Sequence, residues 1–115
     1  MQPSMSAVVR SAAQDWTTRQ IERAQKHGPF TTTLEIHVNL RRLSIDHTSY
    51  YLEDYGYTNL TPEGGRIMSI CQFMRMVASC YMKDTLNEAK IPYELEWVFD
   101  RVGEDYSATA TVKLG

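Results

Sequence analysis

Residues 91–114 read IPYELEWVFDRVGEDYSATATVKL. Ile91, Tyr93, Leu95, Trp97 and Phe99 alternate with Pro92, Glu94, Glu96, Val98 and Asp100. After Arg101-Val102-Gly103-Glu104 the same period returns: Tyr106, Ala108, Ala110, Val112 and Leu114 alternate with Ser107, Thr109, Thr111 and Lys113. Period two on both sides of a glycine-bearing turn is the pattern of an antiparallel hairpin with one buried face. Strands are therefore expected near 91–100 and 105–114, with Trp97 buried in the core.

Working back from the hairpin, residues 61–87 read as a long helix. Thr61 suits a cap, Pro62 a first helical position, and Glu63 the positive end of the helix dipole. Gln72, Arg75, Ser79 and Lys83 form a narrow polar stripe, while Ile67, Ile70, Cys71, Phe73, Met74, Val77, Ala78, Cys80, Tyr81 and Met82 fill the rest. That apolar arc spans roughly 200°, twice the usual width of a surface helix. A helix of this length would be a rod of about 40 Å, long for a domain of this size. It must either break early, near Thr85, or extend into a partner. A homodimer follows as the expectation, with Phe73 and Met76 at its interface.

Towards the N-terminus, Leu34, Ile36, Val38 and Leu40 alternate with Glu35, His37, Asn39 and Arg41, predicting a strand near 32–41. Residues 45–53 are expected to form a less regular, edge-like strand. Residues 5–27 read as a first helix with a thin apolar stripe anchored by Trp16 and ended by Gly28-Pro29. The expected architecture is α+β in the order α-β-β-α-β-β, a single domain over residues 1–115, with a four-stranded antiparallel sheet and two helices on one face.

Bulk properties exclude little. A chain of 115 residues can bury one core without metal or disulfide support. The formal charge of −2 is divided unevenly: residues 1–42 carry six basic and three acidic groups, and residues 43–115 six basic and eleven acidic. Ordinary surface charge accounts for this, although such asymmetry can also steer a partner. Cys71 and Cys80 lie about 13 Å apart along one helix and on opposite sides of it, so they cannot pair. Residues 1–6 lack the basic start of a secretory signal. Free thiols in a reducing, cytoplasmic setting are the expectation.

Several clusters invite a chemical reading, and each has a plainer one. His37 with Glu35, Glu94 and Glu96 would converge for metal binding or acid–base work only if the strands near 32–41 and 91–100 were neighbours; otherwise they decorate a solvated sheet face. Asp46, His47 and Ser49 lack any triad spacing, because triads are assembled in space. Gly64, Gly65 and Arg66 can cradle an anion at a helix start, yet they match neither a Walker sequence nor a dinucleotide fingerprint, and Glu63 opposes an anion. Arg19, Arg23, Lys26, Arg41 and Arg42 lack the aromatic interleaving of an RNA-binding surface. Methionines at 68, 74, 76 and 82 suit core filling as well as an adaptable surface. Tyr50, Tyr51, Glu53, Asp54, Tyr55 and Tyr57 form an aromatic and acidic patch suited to recognising a basic protein surface.

No motif here is specific to a family. The reading that follows is a non-catalytic protein-binding module, such as a small inhibitor, immunity or adaptor protein of the kind phages and mobile elements encode. It docks on a larger protein through the 50–57 patch, uses no cofactor or metal, and contacts neither membrane nor nucleic acid. The alternative is a small homo-oligomer that sequesters a charged small ligand at Gly64, Gly65 and Arg66. A hydrolase using His37 and nearby carboxylates ranks third.

Overall fold

The computed structural model describes residues 3–43 and 62–115, except for the side chains of 62–66, 68 and 69. The element order is α1 (Met5–His27), β1 (Phe30–Asn39), α2 (Pro62–Glu88), β2 (Tyr93–Val102) and β3 (Asp105–Leu114). Among the described residues the fold is therefore α+β in the order α-β-α-β-β. Among those residues its antiparallel sheet has three of the four expected strands. The strand expected at 45–53 lies outside the described residues.

Local chemistry explains where α1 starts and stops. Ser4 caps it, its side chain accepting from the Ala7 N–H at 3.2 Å. Gly28, at φ 81°, closes it by donating its N–H to the Ala24 carbonyl. Lys26 and His27 occupy the last turn, where cations complement the helix dipole. The Arg23 guanidinium then sits 4.2 Å above the Phe30 ring, bracing the reversal into β1.

The apolar stripe of α1 carries more than its composition suggests. Met5, Val9, Ala13, Trp16 and Thr17 are all buried. The first four lie in one cluster with Ile70, Phe73, Met74, Ala78, Met82 and Leu86 of α2 and the inward residues of β1 and β3. The small side chains at 13 and 17 serve here, because close helix approach favours them. Trp16 spans the layers, its Nε1–H donating to the Thr33 carbonyl of β1 at 2.9 Å.

The helix α2 runs unbroken to Glu88, past Thr85, whose hydroxyl donates to the Tyr81 carbonyl at 2.8 Å. Its 27 residues make about 40 Å of helix, within a longest dimension of 46 Å. The early break expected near Thr85 is thereby corrected. The wide apolar arc is met inside the chain by α1 on one side and the sheet on another, and Phe73 is buried there.

Three hydrogen bonds end α2. Ala89 N–H reaches the Thr85 carbonyl, Lys90 N–H that of Asn87, and Ile91 N–H that of Leu86. The last two are the paired bonds of a Schellman motif, with Lys90 in the left-handed conformation at φ 59°. Glycine is the natural occupant of that position, since a Cβ is disfavoured there. Lys90→Gly is therefore expected to raise stability by about 0.5–1 kcal/mol, net of the added unfolded-chain entropy. Urea denaturation of the two proteins measures it, and a destabilised variant contradicts this account of the cap.

The sheet order is β1-β3-β2, so the last strand is the central one. The hairpin of β2 and β3 turns through Gly103-Glu104. Gly103, at φ 61°, occupies the first central position, as a type II′ turn requires. Pairing β1 with β3 sets Leu34 beside Ala110, Ile36 beside Ala108 and Glu35 beside Thr109. Pairing β2 with β3 sets Trp97 beside Ala110, Phe99 beside Ala108 and Leu95 beside Val112. The inner face thus has alanines at its centre and large side chains on its flanks.

Candidate functional site

The sheet order decides which candidates come together. His37 and Glu35 lie on β1, while Glu94 and Glu96 lie on β2, with β3 between them. The strands expected to be neighbours are not, and the four side chains do not converge. Neighbouring strands are about 4.8 Å apart, so β1 and β2 are separated by roughly twice that. His37 Nε2 and Glu35 Oε2 approach to 3.7 Å, both well exposed. No group of three or more potential metal ligands occurs among the described residues.

One outer-face row does place His37, Ser107 and Asp100 side by side on β1, β3 and β2. The serine, not the imidazole, is in the middle, and Asp100 Oδ1 accepts from the Arg101 N–H at 2.8 Å. A relay from nucleophile through base to carboxylate has the imidazole at the centre. The row edges a cavity of about 490 Å³ at the turn end of the sheet, whose wall runs through Leu43. Residues 44–61, beyond Leu43, lie outside the described set.

The remaining expected site residues are distributed as follows. Tyr50, Tyr51, Glu53, Asp54, Tyr55 and Tyr57 lie outside the described residues, as do Asp46, His47 and Ser49. Gly64, Gly65 and Arg66 fall in the first turns of α2, as helical positions rather than a preceding loop. Arg19, Arg23, Lys26, Arg41 and Arg42 are exposed. Met74 and Met82 are buried as core filler, whereas Met76 is half-buried. Phe73 is core, so of the two residues expected at a dimer interface only Met76 reaches the surface. Among the described residues, no helix is long and apolar enough to cross a membrane.

The site that the geometry does assemble lies along β2. On β1 and β3, Leu34, Ile36, Val38, Ala108, Ala110, Val112 and Leu114 are 3 % exposed or less. Their β2 counterparts Tyr93, Leu95, Trp97 and Phe99 are only half-buried. The helices cover the centre and the β1 side and leave β2 partly open. Trp97 is thus a flank residue rather than the buried anchor expected of it. Its Nε1–H donates to Ser79 Oγ of α2 at 3.0 Å, which accounts for the buried serine in the polar stripe of that helix. The Trp97 and Phe99 rings are nearly parallel, tilted by 5° with centroids 6.1 Å apart.

Between β2 and α2 runs a groove of about 310 Å³ lined by Arg75, Met76, Ser79, Cys80, Lys83, Leu95 and Trp97. Its floor is apolar. Its α2 rim carries the exposed cations Arg75 and Lys83, two turns apart, with the exposed Cys80 between them. The other cysteine is different: Cys71 is buried, and burial pushes its thiol up, keeping it protonated and unreactive.

The outer side of β2 has the opposite charge. Glu94, Glu96 and Asp100 stand on it, with Val98 between them 67 % exposed and Val102 beyond them 74 % exposed. Glu94 faces Lys113 across the ladder, but Glu96 faces Thr111 and Asp100 faces Ser107, neither of which is charged. Among the described residues, no strand pairs with the outer edge of β2.

Sequence reasoning missed this site because it took the inward row of β2 for core. A usable signal was present. The aromatic and branched residues of 93–99 stand against the alanines of 106–112, the contrast of a flank strand with a central strand crowded by helices. Comparison with protein-family models, with curated proteins and with solved structures returns no match.

Proposed function

We propose that the protein is a non-catalytic protein-binding module that receives its partner on the β2 edge and the adjoining α2 groove. The observation that carries this reading is the half-covered row Tyr93, Leu95, Trp97 and Phe99, in a sheet whose other inward strands are closed. Tyrosine and tryptophan supply large contact area with little side-chain entropy to lose, and they dominate binding energy where they are found at interfaces. An apolar floor with a charged rim is the usual anatomy of a recognition surface. The role that fits is that of a small inhibitor, immunity or adaptor protein docking on a larger one. Free thiols at Cys71 and Cys80 suit a reducing compartment, and the proposal places the protein in the cytoplasm.

Cys80 provides the test. A photo-activated cross-linker attached through a thiol should load on Cys80 and spare the buried Cys71. In lysate of the native host, the loaded protein is expected to give one discrete adduct with a larger protein. That adduct should disappear when Leu95→Glu is introduced. The same reagent placed on Lys26→Cys, in a Cys80→Ser background, should give none, because neither Lys26 nor any other residue of α1 lines the groove. Equal labelling from both positions, or no adduct from Cys80, overturns the proposal. An adduct of the chain with itself instead supports the homodimer, with Met76 as its surviving contact.

A further inference from the structure

Resting on the reading of β2 as the docking edge, we infer that the partner enters as an extended strand with alternating chemistry. Its apolar side chains face α2 and its lysines or arginines face outward. Two features of β2 point to this occupant. The strand is ten residues long, about 33 Å of ladder, and its outer edge has no pairing strand among the described residues. Peptides that add to such edges gain affinity from main-chain hydrogen bonds and specificity from alternate side chains.

The side-chain requirements follow from the two faces. Inward, a fourth strand would lie beside Tyr93, Leu95, Trp97 and Phe99 and extend the floor of the groove, which asks for apolar residues at every second position. Outward, it would lie beside Glu94, Glu96, Val98 and Asp100. Lys113, opposite Glu94, is the one cation that β3 sets against these three carboxylates, so the outer row keeps a net negative charge. Opposite charges directly across a ladder stabilise it, and like charges destabilise it. An antiparallel segment therefore reads, in its own chain direction, basic, apolar, neutral, apolar, basic, apolar, basic.

The same charges disfavour a second copy of this chain. A two-fold axis through Val98 would set Glu96 against Asp100 of the copy, and one through Trp97 would set Glu94 against Asp100. Carboxylates on an exposed edge keep like edges apart. They leave the edge complementary to a basic strand.

Two synthetic peptides make the test: Lys-Val-Thr-Val-Lys-Val-Lys flanked by threonines, and the same peptide with glutamate in place of each lysine. Binding is followed by the fluorescence of Trp97, with Trp16→Phe removing the other indole, and by amide hydrogen exchange. The lysine peptide is expected to bind at least about tenfold more tightly, the sum of a few cross-strand charge pairs. Binding should slow exchange at β2 amides, and the preference should reverse in Glu96→Lys, Asp100→Lys. Equal affinity for both peptides, or slowed exchange confined to α2, overturns the inference. So does dimerisation of the free protein through β2, seen by light scattering and abolished by the same two substitutions. If the peptides fail while the Cys80 adduct persists, the docking surface stands and the partner does not enter as a strand.

Discussion

Replacing Trp16 by alanine is expected to lower stability by about 3–5 kcal/mol, the usual loss for a buried large aromatic. The ring is only 6 % exposed, lies among residues of both helices and the sheet, and donates its Nε1–H to the Thr33 carbonyl. Truncation removes the contacts and also strands an acceptor in β1. Trp97→Ala should cost less, about 1–3 kcal/mol, because that ring is half-buried and solvent already reaches it. Urea unfolding followed by circular dichroism ranks the two. If Trp16→Ala does not fold, Trp16→Phe supplies the comparison, losing the hydrogen bond and part of the contact for about 1–2 kcal/mol. A larger loss at Trp97 than at Trp16 would falsify the assignment of core and flank.

Leu86→Ala should cost about 2–5 kcal/mol, and its effect should be felt beyond the cavity it leaves. Leu86 is fully buried, and its carbonyl accepts the Ile91 N–H that closes α2. Ile91 packs against the cluster that holds Leu86, as the hydrophobic contact that frequently accompanies a Schellman motif does, so the side chain fastens the reversal that starts β2. Amide exchange at Lys90 and Ile91 should accelerate more than at the centre of α2. A loss under 1 kcal/mol, or uniform acceleration along the helix, would show that the cap stands without Leu86.

Alternation at 32–41 and 91–114 was enough to place three strands within two residues, and Gly28-Pro29 and Pro62 marked the end of α1 and the start of α2. Those signals are local, and the structure agrees with them. What they omit is adjacency. The pattern Glu35-Ile36-His37 says which side chains share a face, but nothing in it says that β3 rather than β2 lies alongside. Hence alternation alone allows the acidic side chains of β2 to meet His37, whereas in the fold they are a full strand away. Hydropathy also undervalued α1, because Ala13 and Thr17 contribute by letting another helix come close rather than by being large. The candidate site fared worse. Whether Trp97 is core or flank depends on sheet order and on how far α2 reaches across it, and period two is identical in both cases.

The place of β3 at the centre of the sheet has a consequence for how the chain is made. Synthesis proceeds from the N-terminal side, so β1 leaves the ribosome long before the strand it pairs with; even its nearest partners, Asn39 and Asp105, are 66 residues apart. When β2 emerges, it too lacks its neighbour. Neither strand has a ladder to join until residues 105–114 arrive. Pairings this distant along the chain fold slowly. Until then the apolar row of β1, Leu34, Ile36 and Val38, lacks the ladder that closes it, and a nascent chain with such a strand exposed is open to misassociation.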